Sequence, residues 1–206
     1  MSAAKPLSEQ TLDLRRGLIA AGARFYANGW LFGTSGNLSA RYNDRIVITA
    51  SGCDKGSLTE HDFVEISLEG ELLAASRAAK PSAEASIHVA LYDALPHAGA
   101  ILHVHTVAST KLSTNGTYPA ERVFTNLEML KGWGLWDEGA EGRLPIFENH
   151  AHVPTIADDT RRYYQTARNV PAMVIEGHGI TAWGNDITAA RRHVEVTEFF
   201  CRLASS

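Results

Sequence analysis

The spacing of hydrophobic residues changes along the chain between helical and strand periods. Residues 8–28 are rich in helix formers and stop at Asn28-Gly29, which predicts a first helix. Further helices are predicted from near Ser82, after Pro154 and from near Asp186, where apolar residues recur at three- or four-residue steps. The block TNLEMLKGW also predicts a helical stretch.

Short runs rich in β-branched residues predict strands between these helices. NLSARY and RIVITA flank the turn-prone Asn43-Asp44, and DFVEISLEGEL enters a turn at Glu69-Gly70. GAILHVHT is one more strand, and AMVIEGHGITAWG predicts two strands around a tight turn at residues 177–179. Strands and helices mix without strict alternation, which favours an α/β fold with a mixed sheet covered by helices.

Composition narrows the classes of protein that this pattern can describe. The chain has 206 residues, 45% hydrophobic and 20% charged, which suits one domain over residues 1–206. A net charge of −4 lacks the basic excess of nucleic-acid-binding proteins. No apolar run approaches the roughly 18–20 residues that cross a bilayer, and the first ten residues hold no apolar signal core. Cys53 and Cys201 lie far apart, so we expect a cytoplasmic protein with reduced thiols and no nucleic-acid or membrane partner.

Two histidines stand out inside the apolar run ILHVHT. Residues i and i+2 of a strand point to the same face, so His103 and His105 share one face while Leu102 and Val104 point to the other. This arrangement can place two imidazoles on one metal ion. The alternative is a pair of half-buried histidines with hydrogen-bonded rings.

A catalytic zinc ion usually has three protein ligands and an open position. His178 lies between two glycines at a predicted strand end, where the backbone can approach another element. An all-imidazole set fits zinc best, with iron, cobalt and manganese as alternatives. Other candidate ligands are His88, His150 and His152.

Three short loops combine glycine with hydroxyl residues. They are GTSGN at residues 33–37, TASG at residues 49–52 and KPSAE at residues 80–84, the last with Ser82 near a helix start. Backbone N–H groups and hydroxyls of such loops bind phosphate. Each loop alone is also ordinary turn sequence, and none matches a P-loop or GxGxxG pattern.

Two carboxylates are candidates for proton transfer. Glu84 lies four residues before His88 on a predicted helix, so the two side chains share a face. The alternative to a role in proton transfer is a carboxylate at the helix start that interacts favourably with the helix dipole. Glu128 lies among apolar neighbours, where partial burial would raise its pKa and suit acid–base catalysis. The alternative for Glu128 is the exposed face of an amphipathic helix.

Taken together, these blocks resemble the class II aldolase/adducin family. The matching blocks run in the family's order over nearly the whole chain: GTSGNLSAR, ITASGCDKGSLTEHDFVEIS, KPSAEASIHVALY, AILHVHT and VIEGHGITAWGNDITAARRHVE. The resemblance implies a three-layer α/β/α fold with a central mixed, largely antiparallel sheet. It also implies a homo-oligomer, commonly a tetramer, with sites near subunit contacts.

The resemblance further implies the residues of the active site. It places one zinc ion per subunit on His103, His105 and His178, and it makes Glu84 and Glu128 the residues that move protons. The phosphate of the substrate would be bound by Thr34, Gly36, Asn37, Ser51, Gly52 and Ser82.

Within the family, the chain is most similar to members that dehydrate 5-methylthioribulose 1-phosphate in methionine salvage. SGCDKGSLTEHDF, NLEMLKGWG and RLPIFEN carry this likeness, whereas ENHAHVPTIADD departs from it. The implied reaction gives a 2,3-diketone phosphate through a zinc-stabilised enediolate. Alternatives are a sugar-phosphate aldolase, a pentulose-phosphate epimerase or a non-catalytic interaction domain. Candidates for an apolar wall around the methylthio group are Trp133, Trp136, Phe147 and Tyr163.

Overall fold

The computed structural model describes residues 6–76, 79–114, 116–118, 120–166 and 170–205. The α-helices are α1 Leu12–Ala27, α2 Ala85–Ala94, α3 Val107–Ser113, α4 Val153–Thr166 and α5 Ile187–Ala204. The strands are β1 Asn37–Tyr42, β2 Arg45–Thr49, β3 Phe63–Ser67, β4 Leu72–Ala75, β5 Ala100–Val104, β6 Ala120–Thr125, β7 Glu141–Phe147, β8 Ala172–Ile175 and β9 Gly179–Gly184. Short 3-10 helices cover Glu9–Thr11 and Glu128–Trp133.

The nine strands form one sheet in the order β4-β3-β2-β1-β5-β9-β8-β7-β6. Every neighbouring pair is antiparallel except β7 and β8, which run parallel. The centre of the sheet is β5, whose His103 lies opposite Asn37 of β1 and Thr181 of β9. Directly opposed residues point to the same face, so these three side chains stand in one row.

Two apolar cores lie on opposite faces of this sheet. Helices α1 and α5 pack on one face with Leu102 and Val104 of β5. Helices α2 and α4 pack on the other face with Ile101 of the same strand. The three-layer α/β/α fold and the mixed, largely antiparallel sheet are therefore confirmed. None of the described helices is both long and apolar enough to span a membrane.

Most predicted elements appear close to their predicted bounds. β1 matches NLSARY, the hairpin of β3 and β4 turns at Glu69-Gly70, and α5 begins after Asp186, whose carboxylate accepts from the N–H of Ala189. The prediction for TNLEMLKGW was wrong in its first part, because Thr125 ends strand β6 and the helical turn starts only at Glu128. Strands β6 and β7 and helix α3 were not predicted.

Candidate metal centre

The predicted histidine pair lies at the end of β5, with its rings converging. Nε2 of His103 is 2.9 Å from Nε2 of His105. Leu102 and Val104 are fully buried in the core with α1 and α5, on the opposite face. The N–H of His105 donates to Trp30 O at 2.9 Å, which holds the backbone just beyond the strand. The strand period therefore places both imidazoles as the sequence predicts.

His178 joins this pair from the turn between β8 and β9. Its Nε2 is 3.4 Å from Nε2 of His103. The turn lies so close to β5 that a Cβ on Gly179 would be 2.2 Å from Val104 O. Only glycine fits there, which explains why the third histidine is followed by a residue without a side chain.

Glu84 completes the group from the start of α2. Its Oε1 is 3.2 Å from Nε2 of His178, and its Oε2 is 3.6 Å from Nε2 of His103. Glu84, His103, His105 and His178 offer ligand atoms that all lie within 4.8 Å of one another. We call these four residues the metal cluster.

The orientation of His103 fits a metal ligand. Its Nδ1 is 3.0 Å from Ile180 O and 2.9 Å from Oγ1 of Thr181. A carbonyl oxygen only accepts, so Nδ1 carries the proton and Nε2 presents its lone pair to the cluster. Such a bond from the second ring nitrogen is the usual support of a zinc-bound histidine. Ligand nitrogens about 2.0–2.1 Å from one zinc ion lie roughly 3–3.5 Å apart, and the observed separations are close to this.

The protonation states of the cluster residues favour binding of a cation. Burial lowers the pKa of His103 well below its ordinary value, and burial followed by His178 lowers the pKa of His105 to about 4. Both rings are therefore neutral at pH 7, the state that binds metal. Burial raises the pKa of Glu84, but the hydrogen bonds from His178 and Asn37 hold it below its usual range.

The three hydroxyl- and glycine-rich loops meet beside this cluster. The N–H of Ser51 donates to Lys80 O at 2.9 Å, which joins the second loop to the third. Asn37 of the first loop donates from Nδ2 to Oε2 of Glu84. Ser82 Oγ accepts from the N–H of Glu84 at 3.3 Å. We call residues 33–37, 49–52 and 80–84 the anion loops.

Residues of the anion loops differ in how closely they are packed and in how exposed they are. Gly36 has a φ of 72° and lies against His103 O, whereas Gly52 has a φ of 77° and open space around it. Thr34 is exposed, and Ser35 Oγ is buried with no hydrogen-bond partner among the described residues. An unpaired buried hydroxyl in this place has a proton that it can donate to a bound anion.

Lys55 was missed by the sequence analysis. Its side chain is 2% exposed, and its Nζ donates to Thr34 O at 2.8 Å and to Cys53 O at 2.9 Å. Burial lowers the pKa of Lys55, while Cys53, Glu84 and Asp54 oppose that shift. A lysine two residues after a Ser-Gly-Cys turn is the only trace of this contact in the sequence.

The other histidine candidates lie outside the cluster. His88 is buried and bonds Ser39 and Asn37 through its two ring nitrogens. His150 lies 3.7 Å from Asp159, and His152 lies 3.2 Å from Oγ1 of Thr155 near the start of α4.

Glu128 is not in contact with the metal cluster in the described part of the chain. Its side chain is 82% exposed and pairs with Lys131 at 2.8 Å, so the partial burial that would suit proton transfer is not present among the described residues. Glu128 lines a pocket of about 350 Å³ together with Trp136, which is 70% exposed. Trp133 and Phe147 are buried core residues, and Tyr163 packs on Phe147.

Comparison with known proteins decides the family. The model of the class II aldolase and adducin N-terminal domain matches residues 16–205. The chain belongs to this family. It is 43% identical over 188 residues to the methylthioribulose-1-phosphate dehydratase of Leptospira biflexa, covering 87% of this chain and 90% of that protein.

Further relatives agree with the branch of the family that the sequence indicated. The methylthioribulose-1-phosphate dehydratase of Microcystis aeruginosa is 40% identical over 193 residues, which cover 92% of this chain and 94% of that protein. A solved L-fuculose 1-phosphate aldolase superposes with a TM-score of 0.76 at 22% identity, covering 96% of this chain and 86% of the other. The latter likeness shows the fold alone. The predicted resemblance is confirmed.

Proposed function

We propose that this protein dehydrates 5-methylthioribulose 1-phosphate to 2,3-diketo-5-methylthiopentyl 1-phosphate in L-methionine salvage. The observation that carries the proposal is the metal cluster, where three imidazoles and a carboxylate converge beside the anion loops. The dehydratases of Leptospira and Microcystis, more than a third identical over most of the chain, select this reaction among those of the family. A cytoplasmic location is part of the proposal.

One zinc ion per subunit is the proposed cofactor, held by His103, His105 and His178 with Glu84 beside it. Bound there, zinc supplies a Lewis acid that polarises the ketose carbonyl. The neutral rings of His103 and His105 need lose no proton to bind it. The bonds of His103 to Ile180 and Thr181 keep that ring in place during the reaction.

The substrate phosphate is proposed to bind in the anion loops, through Thr34, Gly36, Asn37, Ser51, Gly52 and Ser82. Lys55 joins Thr34 to Cys53 beneath these loops and adds a positive charge that the dianion favours. Fixing the phosphate at one end of the substrate sets the carbonyl and its neighbouring carbons at the cluster, which is a positioning effect.

Glu128 is proposed as the residue that moves the protons. It takes the proton from C3 and then protonates the C4 hydroxyl, which leaves as water, and the resulting enol tautomerises to the second ketone. Because Glu128 is exposed and pairs only with Lys131 among the described residues, we propose that it serves the cluster of a neighbouring subunit in a homotetramer. Trp136 lines the same pocket and would give the methylthio end its apolar wall.

The test is product identification with purified protein and 5-methylthioribulose 1-phosphate. We expect loss of water to give the diketone, measured by mass spectrometry, and about one zinc ion per chain, measured by elemental analysis. His103→Ala should lose both zinc and activity, whereas Glu128→Gln should keep zinc and lose activity by at least about 100-fold.

Two outcomes would contradict the proposal. Cleavage of fuculose or rhamnulose 1-phosphate by the wild type, with Glu128→Gln still active, indicates an aldolase instead. The second outcome is a protein that binds no zinc and turns over none of these substrates, and whose His103→Ala variant does not differ from the wild type in either measurement. This result indicates a non-catalytic domain.

A further inference from the structure

A series of hydrogen bonds runs behind the metal cluster and ends on Glu84. Tyr92 Oη is 2.9 Å from Ser39 Oγ, which is 2.7 Å from Nδ1 of His88. Nε2 of His88 bonds Oδ1 of Asn37, and Nδ2 of Asn37 bonds Oε2 of Glu84. The series crosses between β1 and α2 at each step, and its first four members are no more than 2% exposed.

The carboxylate of Glu84 and the neutral ring of His88 together fix the direction of every bond. A carboxylate only accepts, so the amide atom of Asn37 that faces Glu84 is the nitrogen. The amide oxygen of Asn37 must then accept from His88, which places a proton on Nε2 of that ring. Burial lowers the pKa of His88 to about 4, so the ring is neutral and its Nδ1 accepts from the Ser39 hydroxyl. Ser39 in turn accepts from Tyr92, so all four donors point toward Glu84.

This series acts on one particular oxygen. The atom that Asn37 holds, Oε2 of Glu84, is the one that lies 3.6 Å from Nε2 of His103. The other oxygen, Oε1, lies 3.2 Å from Nε2 of His178. A turn of the Asn37 amide would set its oxygen against the carboxylate and push Oε2 away from His103.

We propose that His88 is a positioning residue of the metal cluster, which through Asn37 holds Oε2 of Glu84 toward His103. The inference deepens the proposed function, since it concerns the same cluster, but it needs no particular substrate. Glu84 and His88 lie four residues apart on one helix, yet their link runs through Asn37 of β1. A histidine that only fills space between α2 and the sheet would have no effect on Glu84.

The first measurement is NMR of the metal-free protein labelled with nitrogen-15 at histidine. His88 should show the neutral form with the proton on Nε2, and the signal should be assigned by its absence in His88→Gln. A neutral ring with its proton on Nδ1 would reverse the bond to Asn37 and overturn the proposal. This arm holds even if the wild type binds no zinc, a result that would refute the proposed metal centre instead.

The second measurement is zinc affinity by chelator competition. His88→Leu should weaken zinc binding by about 10- to 100-fold, the usual effect of losing an outer partner of a ligand. His88→Gln keeps an N–H near the position of Nε2, so it should restore the affinity to within a few-fold of the wild type. His193→Leu is the matched control, because His193 is also a helical histidine but bonds Trp183 O instead.

A double-mutant cycle separates positioning from packing. If His88 acts through Glu84, then His88→Leu should cost little further zinc affinity once Glu84→Gln has been made. Additive losses in the double variant would overturn the proposal, as would an affinity of folded His88→Leu equal to that of the wild type. If His88→Leu fails to fold in thermal unfolding, the decision rests on the NMR measurement and on His88→Gln, whose zinc affinity in the folded protein would overturn the proposal if it fell by about 10-fold or more.

Discussion

Gly36 supports the metal cluster without carrying a side chain. Its φ is 72°, and a Cβ there would lie 2.6 Å from His103 O and 2.3 Å from Cδ2 of Leu31. We expect Gly36→Ala to lower the free energy of unfolding by about 3–5 kcal/mol, from backbone strain and from overlap with a strand that cannot move. Urea denaturation measures the loss.

Gly33 provides the matched control for that prediction. It also has a positive φ, 62°, but a Cβ at that position would have no neighbouring atom within 4 Å among the described residues. Gly33→Ala should therefore lose only about 1–2 kcal/mol, the strain alone. Equal losses in the two variants would mean that the contact with His103 contributes nothing.

Lys55 is the second residue whose role depends on a close backbone contact. Because it places a buried charge beside the anion loops, Lys55→Met should raise KM for the phosphorylated ketose by about 10-fold or more with a smaller change in kcat. The inhibition constant of inorganic phosphate should rise in parallel. Lys111→Met, which removes an exposed lysine of α3, should change neither constant. Unchanged phosphate affinity in a folded Lys55→Met would rule out this role.

At the scale of single residues, the site residues that follow a secondary-structure period or a motif were predictable from the sequence. His103 and His105 follow from the two-residue period of a strand, and His178 follows from its glycine neighbours. Lys55 was not predictable, because its partners are backbone carbonyls, one of them 21 residues away. The side chain of Asn37 likewise bonds residues 47 and 51 positions away, which no local pattern encodes.

Helix α3 begins directly after the histidine pair, and the residue that caps it is tied to α5. Thr106 Oγ1 accepts from the N–H of Ser109 at 3.0 Å and donates to Oε2 of Glu198 at 2.5 Å. Thr106→Ala should lower the free energy of unfolding by about 2–4 kcal/mol, since it removes a helix cap and a bond to a buried carboxylate. Thermal and urea unfolding measure this loss.

Thr106→Ser separates the hydroxyl from the methyl group of that residue. Serine caps helices as well as threonine does, so this variant should retain most of the stability. A loss in Thr106→Ser as large as in Thr106→Ala would assign the effect to packing of the methyl group and refute the cap.

Whole elements were predictable where their period and their ends are both marked in the sequence. β1 and β2 are buried on both faces over most of their length and flank a turn-prone pair, whereas α5 has one buried side and an Asp cap, and the predicted bounds of all three agree closely with the structure. β6 was missed because four of its six residues are exposed at the edge of the sheet, so the strand shows no regular alternation of apolar and polar residues. α3 was missed because its seven residues include three hydroxyl side chains, which favour turns as readily as helices.

The metal cluster and Glu128, which together form the proposed active site, lie on different parts of the surface of the chain. The metal cluster stands at the ends of β5 and β9, on the side of the sheet that α2 covers. Glu128 follows the edge strand β6, in a segment whose Leu130 and Trp133 pack with α5 on the other side. Secondary-structure patterns cannot reveal such a separation, because it depends on how the elements are arranged in three dimensions.

Mixing two inactive variants tests whether Glu128 serves a neighbouring subunit. His103→Ala has lost its own zinc ligand but keeps Glu128, and Glu128→Gln keeps the metal cluster. If each site takes its cluster from one subunit and its acid–base residue from the next, random mixing at equal amounts should restore about a quarter of the sites. Dehydration activity should rise after the variants are unfolded and refolded together, and not when they are mixed without exchange.

A mixture that stays inactive while native mass spectrometry shows mixed tetramers would place Glu128 in its own subunit's site. A protein that is monomeric by the same measurement would remove the basis for the exchange altogether.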